Sequence, residues 1–511
     1  MPPVAAPPIP ARRNLILAVM CLALAVVVGM MTSLMVAVPD IATDLRASES
    51  ELQWVVNAYG VTFAGLLLVS GAIGDRLGRK AVLVGGLTIF GVASAGILIV
   101  DDVRWLIALR AVAGVGASAV MPMTLSIISH VFPPQERGRA IGVWSGVTVG
   151  GGLIGLLTAG GLLELFSWRS VFVVNIGLTV AALLGACAVP RQARSGAGRV
   201  DVGGGVLSVI AVAALVFGIL RGPEAGWDAA SVLVAFAVAV GAGIAFAWWE
   251  LGHVNPVLDP RVFRVHALTS GSLIIAAESL AMFGFFFIGL QYLQVIKEYS
   301  PLTAAVAMLP LAVAAMVFSP VVPRVVTRWG YRPTVTTGMA MIAVGLMVMS
   351  RLSISSGYTP IAIGTFLLGA GIAFAATPAT EAIMAALPPD KQGVASALND
   401  VTRELGGVLG IAMLGSIFND VYRSNVGAAA ARLPADLATA TKDSTSAGLA
   451  IASAPNSPSG LTAAVVNSFE SAMSAAMLGG VIVVVAGAIL ALAIVRSSRH
   501  SDAGPQGSDG A

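Results

Sequence analysis

Five charged side chains, Arg110, Glu278, Asp400, Arg403 and Glu404, stand inside segments otherwise apolar enough for hydrocarbon. Ionisable groups in such surroundings take up and release protons or pair with an opposite charge, because an unpaired charge at a bilayer centre costs about 2.5 to 3.5 kcal/mol on insertion scales. Glu278, in SLIIAAESLAMFGFFFIGLQYLQ, has no basic neighbour in sequence, which suits a proton carrier. Helical spacing places it on one stripe with Met282, Phe285, Gly289 and Tyr292, a polarizable lining for a hydrophobic guest. A neutral acid hydrogen-bonded to a neighbouring helix, without a part in turnover, fits the same position. Asp400 and Arg403 are three apart and can pair on one helix face. Arg110 needs a partner from another helix, and a permanent ion pair would serve. For these residues a charge-balancing packing network competes with a coupling role. The histidines (His130, His253, His266 and His500) lie near segment ends or in the tail, and Cys21 and Cys187 fall in apolar runs. That spacing indicates neither a metal site nor a disulfide, and no cofactor is implied.

The elements that must carry these groups are membrane helices. Of the 511 residues 57% are hydrophobic and 11% charged, with a mean hydropathy of +0.90, a surface that water would not tolerate. Runs near twenty residues give 14 spans, the first of which follows Arg12 and Arg13 and is too long for a cleaved signal. With the N-terminus cytoplasmic, 18 of the 29 basic residues fall in cytoplasmic segments and nine in outer loops, so both termini are expected inside. The Trp residues near span ends read as interfacial anchors. The expected organisation is an N-tail at 1–14, a six-helix bundle at 15–190, a linker with two inserted helices at 191–252, a second six-helix bundle at 253–497 and a C-tail at 498–511. The outer segment 420–472, rich in Ala, Ser, Thr and Pro, reads as flexible.

Between the second and third spans lies GAIGDRLGRK, Gly71 to Lys80, a glycine-punctuated turn with three cations, Arg76, Arg79 and Lys80. Positive charge alone explains the cations as topology determinants, but not Asp75 or the glycines. A fainter copy of its rhythm, TRWGYR at Thr327 to Arg332, sets Arg328, Gly330 and Arg332 over Arg76, Gly78 and Lys80. Repeated six-span halves are the architecture in which two bundles rock about a midplane site. The loop matches the signature G-x-[apolar]-x-D-R-x-G-R-[KR] of major facilitator superfamily transporters. Over nearly its whole length the chain resembles their fourteen-span drug/proton antiporter branch, through AVPDIATDL, WVVNAYGVTFAGLLL, LRAVAGVGA, SWRSVFVVN, YSPLTAAVAMLP and GVASALNDVTRELGGVLG.

That resemblance implies an all-α polytopic membrane protein with the major facilitator fold, two six-helix bundles plus two inserted helices. It also implies a conformational latch at Gly71, Asp75, Arg76, Gly78, Arg79 and Lys80, and a link between Arg110 and proton transfer. Three departures bear on mechanism. Aligning AVPDI puts Met30 where the branch usually has a first-span aspartate and Met35 at its asparagine; the antiporter motif of the fifth span reads GLLTAGG, with Leu156 for the proline; and Glu404 stands where glutamine is usual. Met30, Met31, Met35, Met282, Phe285 and Tyr292 are the candidate cavity residues, with Glu278, Arg110, Asp400, Arg403 and Glu404 for coupling. The expected function is proton-coupled export of hydrophobic or amphipathic small molecules by a monomer in the plasma membrane, without nucleic acid and without enzyme activity. The alternative is a facilitator or dedicated exporter of an endogenous metabolite or lipid. No G-x-x-x-x-G-K-[ST] sequence occurs, so ATP drive is not expected. Lacking a carboxylate at position 30, the site should prefer neutral or monovalent lipophilic compounds. Met30→Asp should then add transport of dications in vesicle uptake assays, and strong dication transport without that change would point to another acid.

Overall fold

The computed structural model describes residues 10–501 apart from 48, 191–200, 254–255 and 455–456. Most of the expected N-tail, the start of the linker and most of the C-tail therefore lie outside the described residues. Eighteen α-helices follow in order: α1 (Pro10–Asp44), α2 (Glu49–Leu77), α3 (Arg79–Ile97), α4 (Val103–Val131), α5 (Pro134–Leu163), α6 (Arg169–Ala186), α7 (Val202–Ala225), α8 (Ala230–Gly252), α9 (His266–Gln291), α10 (Pro301–Ala307), α11 (Leu309–Phe318), α12 (Val322–Trp329), α13 (Tyr331–Met349), α14 (Tyr358–Ala386), α15 (Gln392–Ala430), α16 (Ala435–Asp443), α17 (Thr445–Ala452) and α18 (Leu461–Ser501). There is no strand among the described residues, and 14 segments are long and apolar enough to cross a membrane. A backbone in hydrocarbon must satisfy its own hydrogen bonds, and helices do so within each segment.

Helices α1 to α6 pack together as one half, and α9 to α15 with α18 as the other. The inserted pair α7 and α8 pack on each other, and α7 also lies against α2 and α15. Lipid offers no hydrophobic drive for helix association, so close approach depends on small residues. Gly29 and Gly155 bring α1 against α5, where Thr32 and Ser33 donate to the Gly152 and Gly155 carbonyls at 2.7 and 2.9 Å. Gly406 and Gly410 let α15 approach the α9 backbone at Ala276 and Leu280.

The internal repeat is visible in the backbone. Gly78 and Gly330 end α2 and α12 with φ of 101° and 87°, the left-handed region that glycine adopts without a Cβ clash. Two residues after each glycine a cation secures its own half. Lys80 Nζ donates to the Val189 carbonyl at 2.7 Å, beyond the end of α6, and Arg332 Nη2 to the Leu492 carbonyl of α18 at 3.5 Å. At the opposite end, Asp44 accepts from Trp168 Nε1 at 2.9 Å and Arg169 Nη1 at 2.7 Å, which ties α1 to the start of α6. Those two bonds, the Trp168 one foremost, hold the Asp44 carboxyl below its usual range.

The segment 420–472 differs from the flexible loop expected of it. Helix α15 continues to Ala430, α16 and α17 follow, and α18 begins at Leu461. Tyr422 donates its hydroxyl to the Thr441 carbonyl at 3.1 Å, Arg423 pairs with Asp443 at 3.1 Å, and Ser444 caps α17. Its alanines favour helix, and Tyr422, buried against Phe418, gives the short helices a point of attachment. A 39-residue helix is about 58 Å long, so α15 outruns a hydrocarbon core of about 30 Å and its last turns form part of this helical cap.

Between the halves, α2 meets α15 at Gly71 and Gly393. A Cβ on Gly71 would lie 2.5 Å from the Gly393 carbonyl oxygen and 2.7 Å from the Ala397 Cβ. Overpacking of that kind costs about 1 to 3 kcal/mol. Gly71→Val should thus force α2 and α15 apart at this end, seen as a longer distance between spin labels placed on the two helices, in a protein that still inserts.

Candidate functional site

Two groups of polar side chains stand out, one at the contact between the halves and one within the second half where α15 packs on α9. The first is built on Asp75, which the last turn of α2 holds beneath the start of α15. Its Oδ1 accepts from the Gly393 amide at 2.8 Å and its Oδ2 from the Val394 amide at 3.1 Å. These are first-turn N–H groups of α15, without partners inside their own helix, and the positive end of a helix dipole favours the carboxylate. Arg79 donates to Asp75 Oδ1 through Nε at 3.2 Å and Nη2 at 3.1 Å, and Nη2 also reaches the Pro389 carbonyl at 2.8 Å. Both side chains are buried. One carboxylate thereby joins α2 to α15, and one guanidinium joins α3 to the turn that precedes α15. Of the loop residues expected to form a latch, Gly71, Asp75, Gly78 and Arg79 build this bridge. Arg76 is half-buried beside it, while Lys80 is spent within its own half. In the second copy of the motif, Thr327 bonds only to the Arg324 carbonyl, so the bridge has no counterpart there.

The second group lies deeper. Arg403 of α15 donates through Nη1 to Glu278 Oε1 of α9 at 3.0 Å, with both side chains buried. Ser279 donates to the same Oε1 at 3.2 Å. The pairing of Asp400 with Arg403 along one helix, allowed by their spacing, is not formed. Asp400 instead accepts from Asn399 Nδ2 at 3.2 Å, and Asn399 accepts from Thr380 of α14 at 3.0 Å. Glu278, expected to stand alone, is the residue that takes the arginine. Close packing at Gly406 and Gly410 presses α9 onto α15 and brings the two charges into range. Glu278 Oε2, Asp400 Oδ2 and Arg403 Nε and Nη2 remain buried without a protein partner. The cluster thus holds spare donors and acceptors beside a formed ion pair, which an arriving proton or polar substrate group could engage.

Arg110 of α4 also departs from expectation. Among the described residues it has no ion pair; its guanidinium lies over the Tyr59 ring at 4.4 Å, and Nε donates to the Val55 carbonyl at 3.1 Å. A desolvated cation over an aromatic face is worth about 2 kcal/mol, part of what a carboxylate would supply. Glu404 is half-exposed. The Tyr59 hydroxyl donates to the Val27 carbonyl of α1 at 3.4 Å.

The apolar candidates divide. Phe285 and Tyr292 line a cavity of about 10 Å³ with Gly289, Met308, Met349 and Met473, room for roughly one water. Met282 is buried but is not in that lining, and Met30 is buried at 1% exposure. Met31 is half-buried and Met35 exposed. Along the Glu278 stripe, where helical spacing suggested a polarizable pocket, Met282, Phe285 and Tyr292 are buried in the core of their own half. Sequence reasoning missed Tyr59, Ser279, Thr380, Asn399 and the α15 amides. Asn399 and Gly393 fall within GVASALNDVTRELGGVLG, and Tyr59 within WVVNAYGVTFAGLLL, so the motifs covered them without stating their roles.

Residues 20–411 match the model of the Major Facilitator Superfamily. The chain belongs to this superfamily. Among its relatives, the multidrug efflux pump LfrA of Mycolicibacterium smegmatis is 33% identical over 83% of this chain and 84% of that pump. The methyl viologen resistance protein SmvA of Salmonella typhimurium is 34% identical over 80% of this chain and 81% of its own length. The multidrug resistance protein Stp of Mycobacterium tuberculosis is 31% identical over 75% and 71%. Solved structures share the fold. The bacterial homologue of the human lysosomal transporter Spinster superposes with a TM-score of 0.58 at 16% identity, covering 96% of this chain and 98% of that one. The human organic anion transporter MFSD10 gives 0.57 at 13% identity, over 92% and 99%. This is a membrane-spanning transporter, not an enzyme.

The bridge between α2 and α15 ties the two halves at this end. Hydrogen bonds to a charged group contribute about 1.5 to 3 kcal/mol each, so loss of one would shift an equilibrium that it biases by about tenfold or more. Asp75→Asn keeps the shape and removes the charge. It should leave insertion and substrate binding intact while slowing transport about tenfold, measured as binding and initial rate on the same reconstituted sample.

Proposed function

We propose that this transporter exports hydrophobic or amphipathic small molecules across the plasma membrane in exchange for protons, with Glu278 as the proton carrier and both termini in the cytoplasm. The observation that carries the reading is the buried pair of Arg403 with Glu278, flanked by Asp400 with an unpartnered oxygen. A fixed cation between two carboxylates can serve either one. When Glu278 takes a proton it no longer holds Arg403 by charge, and Arg403 can turn toward Asp400 three residues back on α15. Loss of the proton restores the bond across to α9. With Glu278 protonated, Arg403 faces one anion, Asp400, and the site is neutral; with Glu278 deprotonated, the site carries one net negative charge shared by two carboxylates around the same guanidinium, and in neither state is the cation left alone in a dry interior. The exchange alters how α9 is tied to α15, within the half that Asp75 fastens to α2, and this offers a path from protonation to rocking.

The relatives named for multidrug efflux and drug resistance support the direction and the substrate class. The alternative of a facilitator without coupling fits the pair of Arg403 with Glu278 as well, because a buried Arg–Glu pair can be purely structural. The protein is expected to work as a monomer, since the central cluster and the bridge are each complete within one chain.

Glu278→Gln retains shape and an acceptor for Arg403 but cannot titrate. In proteoliposomes it should abolish uphill export driven by a pH gradient and leave downhill exchange partly intact. Full gradient-driven export by this variant would reject Glu278 as the carrier and direct attention to Asp400, Glu404 and Arg110.

A further inference from the structure

A second pair of carboxylates, remote in sequence from the central cluster, lies at the base of the inserted hairpin. Asp201 is the N-cap of α7, its Oδ1 accepting from the Gly204 amide at 2.9 Å. Trp249 Nε1 of α8 donates to both Asp201 oxygens at 3.1 Å. Glu250, the next residue, turns its carboxyl toward the same place. A Cβ on Gly204 would lie 2.7 Å from Asp201 Oδ2 and 3.0 Å from Glu250 Cδ, so the two acids face each other across the space that glycine leaves open. Both are almost wholly buried, with exposures of 4% and 2%. Glu250 Oε1 accepts from the Val257 amide at 3.2 Å, whereas Oε2 is buried with no partner. Capping explains Asp201, and the bond to Val257 explains one oxygen of Glu250, but neither explains two buried acids brought together.

Two buried carboxylates at this range cannot both stay ionised without an intervening positive charge. We propose that Asp201 and Glu250 form a proton-binding site that holds one proton between their carboxyl groups at the base of the α7–α8 hairpin. The proton sits on Glu250, and its O–H donates to Asp201, which stays charged and keeps its bonds to Trp249 and Gly204. His253, 40% exposed at the side chain, has Nε2 3.9 Å from Asp201 Oδ2 and its ring stacked on Trp249 at 5.4 Å. It gives the proton an entry from water, as an imidazole can take up a proton on one nitrogen and pass one on from the other.

Among the described residues the remaining charges around the site are few. Asp201 and Lys391 are the charged groups that act on Glu250, and in the 3-10 turn Pro260–Arg264, which packs on α8, Arg261 pairs with Asp259 at 4.0 Å. Lys391 ends the short turn Pro389–Lys391, whose Pro389 carbonyl accepts from Arg79. Val257 and Leu258, held by Glu250, are buried in the same core as Leu387 and Val394. Loss of the proton leaves two like charges facing each other, which pushes the Glu250 carboxylate away from Asp201 and toward Lys391, while the bond it accepts from the Val257 amide strengthens. The site therefore reports pH to the turn on which the α2–α15 bridge rests. It is separate from the Glu278 cluster and stands whether or not Glu278 carries the coupled proton.

The test is infrared difference spectroscopy on the full chain in lipid nanodiscs, taken between acidic and alkaline buffer. Wild type should show a protonated-carboxyl band that titrates as a single proton. Glu250→Gln should lose that band, Asp201→Asn should displace its titration, and Glu278→Gln should leave it in place. Asp201→Asn retains the helix cap, so it reads the site even if Glu250→Gln inserts poorly. A band unchanged in both Glu250→Gln and Asp201→Asn would overturn the proposal. So would a titration that moves with sodium or potassium at constant pH, which would assign the site to a metal cation.

Discussion

Hydrocarbon cannot solvate the Arg403 guanidinium, so α15 can lie in the bilayer only where another helix answers that charge, and Glu278 of α9 does so at 3.0 Å. The same requirement acts at each buried charge and sets which helices may touch. Arg110 is answered by the Tyr59 ring and a backbone carbonyl, Arg79 by Asp75 and the Pro389 carbonyl. Apolar surface gives a membrane helix no preference for a neighbour, whereas a charge gives it a specific one. Polar contacts thus define the pairing, and glycines make the pairing close enough to form.

Bridge and cluster meet in α15. Its first turn supplies the amides that Asp75 accepts, its next turns carry Asn399, Asp400, Arg403 and Glu404, and Gly406 and Gly410 bring it onto α9. Side chains 394 to 401 pack in the core of the first half, although the helix belongs to the second. Conversely Val149, Leu153 and Leu156 of α5 join the core of the second half. Each half lends a helix face to the other, so a rocking motion changes polar and apolar contacts together, and two discrete arrangements are favoured over continuous slippage.

The repeat is symmetric where it builds scaffold and asymmetric where it builds the switch. Gly78 and Gly330 share a backbone conformation, and Lys80 and Arg332 share the task of tying a helix start to the last helix of its half. An acid at the position of Asp75 is present only once, because Thr327 stands in the second copy and bonds locally. Both copies lie at the same end of the bundle, since loops two and ten of 14 alternating spans share a side, and the single acid fastens that end at one place.

From residue types and spacing alone came the 14 spans, the all-helical class, the repeat, the bridge loop and the positions of the five intramembrane charges. These follow from local rules, since hydrocarbon fixes span length and the scarcity of charge makes each one visible against an apolar background. The partners did not follow. Sequence spacing offered Asp400 to Arg403 and left Glu278 alone, offered Arg110 an acid, and gave the stripe of Met282, Phe285 and Tyr292 to a ligand. The assembled structure gave Arg403 to Glu278, Arg110 to Tyr59, and the stripe to the packing of its own half. Only tertiary structure could decide these, because which charge lies 3.0 Å from which depends on how closely two helices approach, and the glycine and alanine contacts that set that approach come from segments more than a hundred residues apart.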